Sequence, residues 1–76
     1  VISEEELERF RQEGVLLRVI RDIDPANDIK GIVVAWDDRE VLIRKRNRRL
    51  VKLSRGYIYQ PFSDARPETS ELLERL

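Results

Sequence analysis

The stretch Gly31-Ile32-Val33-Val34-Ala35-Trp36-Asp37 decides the fold, together with Val41-Leu42-Ile43 and the seven basic residues that follow within positions 44–55. A glycine inside an apolar run marks a bend or bulge in a strand. A large aromatic comes five positions later. Asp37 and Asp38 then supply turn chemistry, accepting backbone hydrogen bonds where the chain reverses. A further apolar strand leads straight into positive charge. This order predicts a small, strongly bent sheet.

Working outward, residues 29–36 read as one continuous strand, 39–45 as the next and 49–53 as the one after. A three-residue tip, Arg46-Asn47-Arg48, sets Ile43 opposite Val51 and Val41 opposite Leu53. That register places like with like on one face. A two-residue tip would set Ile43 against Lys52 and is rejected.

Upstream, Ser3 caps a helix over residues 4–13, with Glu6 completing a capping box and Ile2 and Leu7 forming a hydrophobic staple. Gly14 ends it in the left-handed conformation. Residues 15–23 read as the first strand, and residues 24–28 as a turn built on Asp24, Pro25, Asn27 and Asp28. Downstream, residues 54–56 turn the chain, residues 57–60 form a fifth strand ended by Pro61, and Pro67 starts a short last helix carrying Leu72, Leu73 and Leu76. A helix and five closely spaced strands predict a mainly β fold, a single barrel-like domain over residues 1–76.

Seventy-six residues without cysteine or histidine bury a limited core, without disulfide staples and without the commonest metal ligand. No cofactor and no metal are expected, and homo-oligomerisation is the remaining route to more buried surface. The apolar runs fall far short of the roughly 20 residues of a membrane span. The acidic start is the opposite of a basic leader, so a cytoplasmic location is the default. No nucleophile–base pair and no phosphate loop is legible, and Asp37 and Asp38, adjacent in an extended segment, point to opposite faces. The chain reads as a non-enzyme.

Net charge is zero, but residues 44–55 carry +7 while the rest is mildly acidic. Arg44, Lys45, Arg46, Arg48, Arg49, Lys52 and Arg55 therefore form the candidate site. Guanidinium groups pair bidentately with phosphate, and phosphate contacts supply sequence-independent affinity for RNA or DNA. Tyr57 and Tyr59, two apart, add a candidate stacking platform. Three other readings stand beside this one. The ribbon is a solvated edge whose charges oppose aggregation, or it pairs with the acidic N-terminal helix, or it meets an acidic protein partner. For the tyrosines the favoured alternative is half-buried strand residues packing on a helix or a neighbouring subunit.

In this arrangement the chain resembles the Sm-like family (Sm, Lsm and Hfq proteins), whose pattern is an N-terminal helix followed by a five-stranded bent sheet. Gly31, Val33, Trp36 and Asp37 match the family's first motif. Val41, Leu42 and Ile43 fall on its apolar third strand, and Arg55-Gly56 is similar to its arginine–glycine pair. The layout is also broadly similar to small bacterial YolD-like domains. The resemblance implies an SH3-like or Sm-like five-stranded barrel with an N-terminal and a short C-terminal helix. The family's base-reading asparagine is replaced here by Val41, and its tyrosine-lysine-histidine run by Val51-Lys52-Leu53. The resemblance thus implies the fold more than the RNA site. The functional expectation is a binding module contacting RNA or DNA backbone through the basic hairpin, with a protein-interaction or assembly module as the alternative.

Overall fold

The computed structural model describes all residues 1–76. Its first helix, α1 (Glu4–Glu13), begins where the sequence places it. The Ser3 hydroxyl accepts from the Glu6 N–H at 3.1 Å, a cap of about 1 kcal/mol. The return half of the capping box is not made. Instead the neighbouring Ile2 N–H donates to the Arg55 carbonyl at 3.3 Å. Ile2 and Leu7 bury in one cluster, as a staple requires. Gly14, at φ 61°, donates to Arg11 and Phe10 carbonyls, and the Val15 N–H reaches Phe10 at 3.2 Å. This is a Schellman-type stop.

Five strands follow: β1 (Leu17–Ile20), β2 (Ile29–Trp36), β3 (Glu40–Arg44), β4 (Leu50–Ser54) and β5 (Ile58–Pro61). They form one antiparallel sheet in the order β4-β3-β2-β1-β5. β4 and β5 are its edges, and no ladder joins them. β1 is shorter than residues 15–23. Asp22 accepts from the Asp24 N–H and Asp24 from the Ala26 N–H, and Pro25–Asn27 is a 3₁₀ turn. These local bonds draw the backbone out of the ladder.

β2 serves two partners in succession. Its first residues pair with β1, Val19 opposite Ile29 and Leu17 opposite Gly31. Its later residues pair with β3, from Ile32 opposite Arg44 to Trp36 opposite Val41. At Gly31 the β3 backbone comes so close that an added Cβ would lie 2.6 Å from the Arg44 carbonyl oxygen and against the Ile43 side chain. A register shift between Val33 and Ala35 leaves Val34 as the extra residue of a β-bulge. The distortion read at residue 31 is thus divided between a close approach there and a bulge three residues later. The bulge keeps Val33 and Trp36 on one face although they are three apart.

That face holds the core: Ile2, Leu7 and Phe10 from the N-terminal side against Leu17, Val19, Val33, Val41, Ile43 and Leu53. The register expected for the hairpin is present, with Ile43 opposite Val51 and Val41 opposite Leu53. At its Ile20 end β1 is buried on both sides, because Ile20 meets Ile58 and Leu72 on its other face, while Arg18 on that face is half-buried. Leu72 comes from α2 (Thr69–Arg75), which starts two residues later than Pro67. Leu73 and Leu76 are exposed. No helix is long and apolar enough to cross a membrane.

Candidate nucleic-acid interface

The tip of the β3–β4 hairpin is closed by its own backbone. The Lys45 N–H donates to the Arg49 carbonyl at 2.8 Å and the Arg48 N–H to Lys45 at 2.9 Å. The Asn47 side-chain oxygen accepts from the Arg49 N–H at 3.0 Å. Arg48 stands at φ 67°, the left-handed position that three-residue hairpins usually give to glycine. An arginine there is disfavoured by roughly 1–2 kcal/mol on steric grounds.

The structure brings Arg44, Lys45, Arg46, Arg48 and Arg49 together around this tip. All but the half-buried Lys45 are exposed. None of the five lies within 4.0 Å of a carboxylate, since the ion pairs of the molecule are Arg11–Glu8, Arg55–Glu4 and Arg66–Asp28. Lys52 is also exposed and unpaired, but it sits further down β4. There it shares a shallow depression with Trp36, Asp37 and Glu40.

Arg55 does not belong to this surface. Its side chain is 10 % exposed. Its guanidinium donates to the Asp37 carbonyl at 2.9 Å and to the Ile2 carbonyl at 2.8 Å. Two carbonyls from segments distant in sequence converge on it, so the group is a clamp between the N-terminus and the β2–β3 turn. The residue expected to contact nucleic acid is a structural cation.

Tyr57 and Tyr59 are separate from the hairpin as well. Tyr57 precedes β5 rather than lying in it, and both rings are half-buried against the core. The Tyr59 hydroxyl donates to the Ser54 carbonyl at 2.7 Å. Burial, then the neighbouring Tyr57, pushes its pKa well above the usual phenol range. The two tyrosines line a surface opening together with Ile2, Glu6 and Arg75, and no hairpin cation lines it. Both rings are half-buried, and the cations near them are Arg21, 6.0 Å from the Tyr57 centroid, and Arg75 rather than the hairpin arginines.

Asp37 fulfils its expected role. One carboxylate oxygen accepts from the Arg39 and Glu40 N–H groups, each at 2.8 Å. Those backbone bonds, ahead of the attraction of Lys52, hold its pKa below the ordinary carboxylate range. A pKa lower in the folded than in the unfolded state stabilises fully above the unfolded value. That stability is lost as the pH falls through the folded one. Unfolding midpoints followed from about pH 5 to 2 should show an acid limb that Asp37→Asn flattens. An unchanged limb would remove Asp37 as its source.

Two cations outside the hairpin went unread in the sequence. Arg18 and Lys30 both lie over the Phe62 ring, at 4.8 and 4.6 Å from its centroid. Their signal was available only through the β1–β2 register, which sets them opposite each other. Comparison with known proteins found no family model that matches the chain and no match among curated proteins.

Proposed function

We propose that this domain is a non-enzymatic binding module of Sm-like or SH3-like barrel type that holds RNA or DNA backbone through its β3–β4 hairpin. The helix followed by five strands, and a β2 strand shared between two partners, support the barrel reading. The observation that carries the function is the set of Arg44, Lys45, Arg46, Arg48, Arg49 and Lys52, on one hairpin, without a carboxylate partner. Cations so crowded repel one another, and a polyphosphate chain relieves that repulsion while releasing its own counterions.

The test is a salt titration of binding to a mixed pool of labelled RNA and DNA. With four phosphates engaged on a single strand, affinity should fall about 50-fold between 50 and 200 mM salt. Changing Arg44, Arg46, Arg48 and Arg49 together to alanine should abolish the binding, and no binding at 50 mM salt would end the proposal. Arg48→Gly separates function from folding. It should raise stability by up to about 1 kcal/mol while weakening binding, whereas a purely structural arginine would leave affinity unmoved.

A second reading is a protein-interaction or assembly module, and one observation favours it. β4 is an open edge, and its own Leu50 is 56 % exposed. On this reading the chain forms a homo-oligomer through its edges. A monomeric mass in solution would remove that assembly.

A further inference from the structure

The cationic surface does not stop at the hairpin. Arg18 stands opposite Lys30 across β1 and β2, and Ile32 opposite Arg44 across β2 and β3. Cross-strand partners share a face, as do residues two apart. Arg18, Lys30 and Arg44 therefore lie together on the face away from Leu17, Val19, Val33 and Ile43. With strands about 4.8 Å apart and the two-residue step from Lys30 to Ile32 adding about 6.6 Å along β2, they form a diagonal about 12 Å long across three strands.

Where this line meets the hairpin tip there is a depression of about 330 Å³, lined by Asp28, Ile29, Lys30, Lys45, Arg46 and Asn47. Its one carboxylate is already engaged. Arg66 binds both oxygens of Asp28, at 2.9 and 3.2 Å. Lys30, Lys45 and Arg46 have no ion-pair partner. The Phe62 ring beneath Lys30 steadies its ammonium without cancelling the charge. The Asn47 oxygen is committed to the turn, which leaves its amide N–H groups as donors at the rim.

We propose that this depression seats a phosphate of a nucleic-acid strand bound at the hairpin, and that Lys30 and then Arg18 carry the strand across the outer face toward β1. The inference rests on the hairpin reading and adds to it a direction and two residues outside the basic run. Lys30 is exposed, so its replacement leaves the fold intact.

The experiment is fluorescence anisotropy of a labelled, mixed-sequence single strand of about 12 nucleotides against the full chain, across 50–200 mM KCl. Lys30→Gln should weaken binding several-fold and reduce the salt slope by about 0.7. Arg18 is half-buried and also donates to the Phe62 carbonyl at 3.3 Å, so Arg18→Gln should weaken binding alike while Arg18→Lys, which keeps the charge, restores it. Arg75→Gln, a cation on α2, should match the wild type. If the strand binds and the hairpin arginines are needed, but Lys30→Gln keeps both affinity and slope, the track is wrong and the hairpin reading survives. If nothing binds at 50 mM KCl, both fall. A parallel titration with inorganic polyphosphate tests the occupant. Weaker binding than the nucleic acid supports a strand, and equal or tighter binding overturns it.

Discussion

Replacing Gly31 by alanine should cost about 3 kcal/mol, toward the upper end of overpacking changes. The added carbon meets the Arg44 carbonyl oxygen and the Ile43 side chain. Backbone cannot rotate away, so β2 and β3 must separate where β2 changes partner. A domain of this size has a total stability of roughly 4–11 kcal/mol, so the change removes a large fraction of it. The melting temperature, followed by circular dichroism, should drop by about 12–24 °C. Gly14→Ala is the comparison. Open space surrounds Gly14, and only its φ of 61° resists a side chain, so its cost should be about 1 kcal/mol. Equal effects at the two positions would mean that β3 does not press on residue 31.

Arg55→Ala should be as damaging, at about 3–4 kcal/mol. Two charge-assisted bonds are lost, and the Ile2 and Asp37 carbonyls lose their guanidinium donor. Arg55→Lys should recover less than half of the loss, because one ammonium cannot reproduce the planar fork that spans both carbonyls. Hydrogen exchange gives the second readout. Releasing Ile2 should speed exchange of the α1 amides before those of the β3–β4 hairpin. A mild, lysine-rescued effect would instead return Arg55 to the surface cations.

The elements that the residues announced are those with local causes. Ser3 and Gly14 bracket α1 because a cap and a left-handed stop are short-range events. β2 runs over Ile29–Trp36, as read, because an apolar run bounded by Asp28 and Asp37 leaves little choice. The hairpin register follows from matching valines, isoleucine and leucine across one face. What was not legible has causes far along the chain. Val34 bulges between Val33 and Ala35, in an apolar run that carries no mark of it. Arg55 looks like one more arginine in a basic run, and only the approach of Ile2, 53 positions away, turns it inward. Lys30 and Arg18 look isolated until pairing sets them side by side. The Asp28–Arg66 pair, 38 positions apart, gives no local sign at all.

The pairing distances within the sheet set an order of assembly. β3 and β4 join neighbours separated by a three-residue tip, a step of about 1–10 μs for a hairpin. β1 and β5 pair Ile20 with Ile58 and Leu17 with Pro61, and such long loops close late and at greater entropic cost. The arginine-bearing arms therefore exist in the folding chain before Ile20 and Ile58 are sealed beneath Leu72. The refolding chain thus displays its basic hairpin while the apolar surface of Ile20 and Ile58 still awaits Leu72 of α2.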